Sequence, residues 1–397
     1  MKTMQPIFRM VVCSDVHYQE GKPNEPARFE KGIQQAYDYA AGEAYDKIDA
    51  LYVVGDFATS GSEAEMQMFK ASIDKCVRNE TQITLTLASH EFRYGEAEAL
   101  ARFDRIFGME KDTHKVINGL HLIALTTQDG CRIREKKQTW LKEQLKKAAA
   151  DDPYKPIFVF QHPHLTDTVY GSINWGEDDI IEILMDYPQV IDFSGHSHAP
   201  INDPRSIHQK YFTSMGTGSL SYFELDEFDK RGGTVPPDAE NCAQYLIVEV
   251  FPDNAVLIKP FDILSGMFFN DGYRIDKPSD PDTFIYTDAR YKSTEKPVFP
   301  ENAELSAETN GRTVKLHFLQ AYIKDRVDSY TIAVKAESDG RIVKQMNISS
   351  SYYLNPMPRD RSLVFDLDEA GAYTVEVTAN SFWDTCSDKI TASFSVD

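Results

Sequence analysis

The run Phe8-Arg9-Met10-Val11-Val12-Cys13-Ser14-Asp15-Val16-His17 decides how the rest of the chain is read. Phe8 to Cys13 has the length and apolar character of a buried strand, and an acid and an imidazole follow it at once. Four more stretches repeat the plan. Leu51 to Val54 runs into Gly55-Asp56, Ile83 to Leu87 into Ala88-Ser89-His90-Glu91, Ile157 to Phe160 into Gln161-His162, and Val190 to Phe193 into Ser194-Gly195-His196-Ser197-His198. Ligands of open α/β sheets bind beyond the carboxyl ends of the strands. Five clusters that are distant in sequence are therefore expected to meet in one polar site.

Between these strands lie segments with helical length and apolar stripes: Pro26 to Asp46, Ser62 to Val77, Ala97 to Phe107, Arg134 to Ala149 and Glu177 to Met185. Strands alternating with helices predict a layered α/β domain. Past the last cluster, Ile207 to Ser214, Tyr245 to Phe251 and Ala255 to Phe261 are rich in β-formers and complete a two-sheet core. The acidic, Gly- and Pro-bearing stretch Phe223 to Asn241, with Gly232, Gly233, Pro236 and Pro237, reads as a loop placed to cover the cleft or as a surface insertion. Gly216 to Ser219 reads as a turn or as backbone close to substrate.

Two divalent cations roughly 3.5–4 Å apart need about three or four protein ligands each and a shared carboxylate. Asp oxygens and neutral His nitrogens suit zinc, manganese or iron, and the scarcity of Cys in the clusters argues against a closed structural zinc site. The chemistry implied is metal-assisted hydrolysis, in which a water between the cations becomes an in-line nucleophile. Taken alone, an Asp-x-His or Gly-Asp pair is a common turn. The joint order of five clusters carries the argument.

That ordered set, Asp15-x-His17, Gly55-Asp56, Ser89-His90-Glu91, His162 and Gly195-His196-x-His198, resembles the calcineurin-like metallophosphoesterases over roughly the first two thirds of the chain. The resemblance implies a four-layer αββα sandwich and a hydrolase of phosphoric mono- or diesters that uses a metal-bridging hydroxide. It implies that Asp15, His17, Asp56 and His198 hold the first metal ion. His162 and His196, with Asp56 bridging, hold the second. His90 takes the role of contacting the phosphate or protonating the leaving group, and Glu91 that of its orienting partner. Ser89 departs from the family's asparagine and is a weaker oxygen donor, which leaves a catalytically weakened, ligand-binding relative as the alternative. Thr59 stands where purple acid phosphatases carry a tyrosine, so no purple iron chromophore is expected. Spacing and size look more like the bacterial phosphodiesterase-like members. Arg93, two residues beyond Glu91, and His164, close to His162, are candidate substrate contacts.

A formal net charge of −20 over 397 residues disfavours nucleic-acid coating and anionic membrane surfaces. The partner expected is a small phosphorylated substrate. Five scattered cysteines, Cys13, Cys76, Cys131, Cys242 and Cys386, fit reduced thiols. With no signal-like or spanning stretch, a cytoplasmic location is expected unless an export signal has been removed.

Residues 1–275 are expected to form the catalytic domain. A linker rich in Asp, Pro, Ser and Lys is placed at 276–300, and a small all-β sandwich, immunoglobulin- or fibronectin-like, at 301–397. Six alternating stretches from Val314 to Val396, with hairpin signals at Asn310-Gly311 and Asp339-Gly340, support the sandwich. Its aromatics Tyr352, Tyr353, Phe382 and Trp383 are read as core or as a surface for partner binding or self-association. His317 needs no special role.

Overall fold

The structure, a computed structural model, describes residues 4–227 and 230–397. It divides into two compact units, residues 1–287 and 288–397.

In the first unit, β1 (Phe8–Cys13), β2 (Ala50–Val54) and β3 (Gln82–Thr86) run parallel, with the strands Gln244–Val250 and Val256–Asp262 added antiparallel beyond β1. A second sheet holds the hairpin β4 (Thr113–Ile117) and β5 (Leu120–Ala124). Next come β6 (Ile157–Phe160), Val190–Ser194 and Thr213–Gly216, all parallel to β5, and an edge strand Ile207–Gln209.

Strand period 2 sorts the side chains. Met10, Val12, Tyr52 and Val54 of one sheet meet Leu122, Phe158, Phe160 and Phe193 of the other. The Tyr52 and Phe160 rings stack at 3.8 Å and clamp the sheets together. The alternate residues Val11, Leu51, Val53 and Leu85 turn outward under α1 (Asn24–Ala41), α2 (Glu63–Cys76) and α3 (Glu96–Phe107). On the opposite side α4 (Glu135–Asp151) lays Leu141, Leu145 and Ala148 over Ile123, Ile157 and Val159. The result is the expected αββα order of four layers. Each of these large apolar side chains contributes about 1.5–3 kcal/mol through burial. A capping box fixes the start of α2, where the Ser62 hydroxyl accepts from the Glu65 N–H while the Glu65 side chain reaches back to the Ser62 N–H.

Three expectations are corrected. The stretch Glu177 to Met185 makes only one helical turn, Ile181–Leu184. The run Ile207 to Ser214 is two antiparallel strands rather than one. The segment Phe223 to Asn241 is not all loop, since Leu225–Glu227 pairs with Lys230–Thr234 and Ala239–Asn241 forms a 3₁₀ turn. Phe228 and Asp229 of that segment lie outside the described residues. The hairpin β4–β5 was not foreseen, although its Asn118-Gly119 turn, both residues at positive φ, is a hairpin signal.

The second unit is all β. A three-stranded sheet (Leu305–Asn310, Thr313–Leu319, Asp360–Asp366) and a four-stranded one (Val327–Ala336, Ile342–Ser349, Gly371–Ser381, Ile390–Val396) share one core. Leu316, Phe318 and Phe365 of the first sheet lie in it with Tyr330, Ile332, Val375 and Phe394 of the second. Tyr352, Tyr353, Phe382 and Trp383 are all at most 4% exposed, so they are packing residues rather than a surface. Residues 277–287 belong to the first unit, where the Gln209 side chain accepts from the Ile285 and Tyr286 N–H groups. Residues 288–300 belong to the second, where Val298 bridges to Tyr322. No helix among the described residues is long and apolar enough to cross a membrane.

Candidate metal centre

Each expected cluster begins within three residues of the carboxyl end of a parallel strand: Asp15 after β1, Asp56 after β2, Ser89 after β3, His162 after β6 and His196 after Val190–Ser194. The turns are built on unusual backbone. Asp15, His17, Asp56, His196 and His198 all have left-handed φ, at 53°, 54°, 51°, 75° and 55°. Such residues cost about 1–3 kcal/mol each and gather at functional sites. Backbone bonds stitch the turns together: Asp15 N–H to the Gly55 carbonyl (3.2 Å), His17 N–H to the Asp56 carbonyl (3.1 Å) and Gly195 N–H to the His162 carbonyl (2.9 Å).

Two glycines are required by close approach. A Cβ on Gly55, itself at φ 78°, would lie 2.6 Å from His162 Nδ1 and 2.7 Å from Ala88 Cβ. One on Gly195 would lie 2.5 Å from both Asp15 Oδ2 and Ser14 Oγ.

The side chains converge in three overlapping groups whose ligand atoms lie within 4.8 Å of one another: Asp15, His17 and His198; His17, Asp56 and His90; Asp56, His162 and His196. His17 Nε2 and His198 Nε2 face each other at 3.0 Å, and His198 Nε2 is 3.2 Å from Asp15 Oδ1. His162 Nε2 is 3.0 Å from Asp56 Oδ2. Both Asp15 Oδ1 and His162 Nε2 are buried without a hydrogen-bond partner. Buried polar atoms outside hydrogen-bond geometry need explaining, and imidazole nitrogens turned to carboxylate oxygens are what a divalent cation requires once the rings are deprotonated.

The electrostatics agree. Burial opposes ionisation of Asp15 and Asp56, yet neighbouring histidines hold both carboxyls below the usual range, with His198 foremost for Asp15 and His162 for Asp56. Burial, aided by His198, lowers His17 to about 3, and burial, aided by His162, lowers His196 to about 4, so both are neutral donors. Burial works against a proton on His162, but the Asp56 and Asp15 charges raise it to about 10. That proton sits between two buried carboxylates, where a cation would supply the same neutralisation. Cation binding would therefore release protons.

Other backbone groups orient the rings. His162 Nδ1 bonds the Val54 carbonyl (2.7 Å), His198 Nδ1 the Tyr222 carbonyl (3.0 Å) and His90 Nδ1 the Thr59 carbonyl (2.6 Å), leaving each Nε2 turned inward. The expected pairing of Glu91 with the His90 ring is corrected here. The buried Glu91 carboxylate instead accepts three backbone N–H groups, from Asp56 (3.1 Å), Ala58 (2.9 Å) and Ala88 (2.9 Å). It ties the Gly-Asp turn to the chain ahead of Ser89. Burial and the Asp56 charge raise it to about 8.

Ser89 stands beside the second group, where its hydroxyl donates to Asp56 Oδ2 (3.0 Å). His164 is fully buried behind the site, its two ring nitrogens on the Ser194 and Ser197 hydroxyls (2.8 and 2.7 Å), and so does not line the cleft as expected. Arg93 is exposed, and among the described residues no hydrogen bond or ion pair joins its side chain to the cluster.

Several contributors carried no sequence signal. Tyr222 packs on His198 (ring centroids 4.3 Å), Trp175 stands edge-on to His196 (5.1 Å), and Cys131 Sγ lies 3.5 Å from His196 Nε2. The root of the Leu225–Thr234 strand pair is tied to the site through the Glu224 N–H, which donates to the His198 carbonyl (3.3 Å). Thr59 gives its hydroxyl to the His17 carbonyl (2.9 Å).

Comparison with known proteins gives the following. Residues 8–200 match the calcineurin-like phosphoesterase family. Among solved structures, purple acid phosphatase PPD1 from yellow lupin (Lupinus luteus) seeds aligns with a TM-score of 0.50 at 14% identity, over 70% of this chain and 54% of its own. This chain thus spans about half of that phosphatase, and the likeness is one of fold. A PKD1 domain of Vibrio anguillarum Epp aligns at 17% identity over 26% of this chain and 94% of its own, with a TM-score of 0.18. An immunoglobulin-like β-sandwich protein from Bacteroides vulgatus aligns at 15% identity over 26% of this chain and 99% of its own, with a TM-score of 0.17. No curated protein matches.

Proposed function

From a segment, residues 8–200, that matches the calcineurin-like phosphoesterases, we propose that this chain is a metal-dependent hydrolase of small phosphoric esters, working with two cations. The observation that carries the proposal is the convergence of Asp15, His17, Asp56, His162, His196 and His198 around buried, unpartnered ligand atoms. Asp15, His17, Asp56 and His198 would hold the first cation, and Asp56, His162 and His196 the second, with manganese, iron or zinc suited to the donors. When bound, the cations supply Lewis acidity and an activated water.

The remaining chemistry belongs to the side chains. His90 is half-buried, with Nε2 4.0 Å from Asp56 Oδ2 and its ring edge-on to His17. The Thr59 carbonyl only accepts, so it keeps a proton on Nδ1, and any further proton sits on Nε2 facing the cleft. His90 is thereby placed to protonate a leaving alkoxide or to donate to a phosphoryl oxygen. Glu91 holds Asp56 in register, and Tyr222 and Trp175 pack against the His198 and His196 rings.

One observation favours a weaker second site. The Ser89 hydroxyl occupies lone pairs of Asp56 that a bridging ligand needs. Ser89→Asn should then raise second-cation affinity and turnover, and an unchanged variant would remove that reading.

The main test is Asp56→Asn, assayed for metal retention and for hydrolysis of chromogenic phosphoesters. Loss of both is expected, because the shared charge is gone. Near-normal activity would sink the mechanism.

A further inference from the structure

The histidines of the cluster are not held alike. His162 and His198 each turn Nδ1 to a backbone carbonyl and Nε2 inward to a carboxylate. His196 is held differently: its Nε2 meets Cys131 Sγ at 3.5 Å rather than a backbone carbonyl or a carboxylate, and the ring belongs to the Asp56–His162–His196 group. In the same group His162 Nε2 is fully buried 3.0 Å from Asp56 Oδ2 yet outside hydrogen-bond geometry, which independently marks the spot as a ligand site.

Cys131 is held there by its turn. The Thr127 N–H and hydroxyl both donate to the Leu87 carbonyl (3.1 and 3.2 Å), and Gln128 and Arg132 exchange backbone bonds. Arg132 is anchored on Asp179 (2.9 Å). The turn passes close to Ser89, whose Cα would be 3.8 Å from a Cβ added to Gly130.

We propose that Cys131 is the positioning residue for His196. Its sulfur accepts the Nε2–H, selects the tautomer with a free Nδ1 lone pair, and so sets the affinity of the second cation. The inference rests on the two-cation reading above. A thiol sulfur is a weaker acceptor than the carbonyls behind the other rings. Together with Ser89 it makes the second cation the exchangeable one. Outer partners of metal-binding histidines typically contribute 10–100-fold in affinity.

The test is titration of chelator-stripped protein with Co²⁺, followed by calorimetry and by the visible spectrum, for wild type, Cys131→Ala and Cys131→Ser. In the Ala variant we expect second-cation affinity to fall about 10–100-fold and the first to stay unchanged, which also reports an intact fold. In the Ser variant, whose hydroxyl still accepts, most of that loss should be restored. Equal second-cation affinity in wild type and Cys131→Ala would overturn the positioning role. A thiolate-to-cobalt charge-transfer band, lost in Cys131→Ala, would overturn it in favour of direct ligation. Wild-type protein that binds no cobalt would overturn the two-cation reading itself, and this inference with it.

Discussion

At the scale of single residues, the same side-chain type does different work according to its backbone partners. His90 keeps Nε2 open to the cleft while Thr59 holds its other nitrogen. His90→Ala should therefore lower turnover by about 10²–10⁴ and leave metal content unchanged, and elemental analysis showing an emptied site would reassign it as a ligand. Glu91 satisfies three buried N–H groups. Glu91→Ala leaves them unmet at about 1–3 kcal/mol each, so the metal-free variant should melt well below wild type, and an unchanged melt would show that water replaces the carboxylate. Asp192, fully buried in the strand Val190–Ser194, is pushed by burial from its ordinary 3.8 up to about 8, only partly offset by a bond from Gln161. The folded state binds this proton more tightly than the unfolded chain, so stability is fullest below about pH 4 and falls as pH rises through about 8. Asp192→Asn should flatten that fall, giving a higher Tm at pH 8.5 and little change at or below pH 4. Parallel Tm–pH curves for the two proteins would refute it. Sequence revealed the clustered Asp and His residues but not the groups behind them, because Glu91 meets backbone N–H groups and Cys131 a ring nitrogen, contacts that no residue pattern encodes.

At the scale of elements, the site is a property of strand ends. The five apolar runs were legible because each is buried on both faces and stops at a turn carrying Asp or His, residue types that tolerate left-handed φ. Gly55 shows how tightly these ends meet. Gly55→Ala puts a methyl against His162 and Ala88 at an unfavourable φ, so both metal retention and stability should drop. A variant with normal metal content would mean the β2 turn can shift. What stayed illegible was short or irregular. The segment Glu177 to Met185 has an apolar stripe yet forms a single turn, since its first residues pair with the strand His164–Leu165 or follow in a bend. The pair Leu225–Glu227 and Lys230–Thr234 was hidden by glycines and prolines that ordinarily signal loop.

At the scale of the whole molecule, two compact units carry separate cores, one layered α/β with the metal-ligand cluster and one all-β. A ligand that binds only folded protein stabilises by RT ln(1 + [L]/Kd), about 2.7 kcal/mol at 100 times Kd. Calorimetry should then show two transitions, of which chelation lowers one, and a single transition that shifts as a whole would contradict independent cores. The central claim is metal-dependent ester hydrolysis at the Asp–His cluster, and one measurement reaches it directly. Chelator-stripped protein is titrated with Mn²⁺ while initial rates are followed on p-nitrophenyl phosphate and bis(p-nitrophenyl) phosphate. A rate on at least one ester that is absent without metal and rises with the cation is expected. No rate on either ester at any metal level would contradict it.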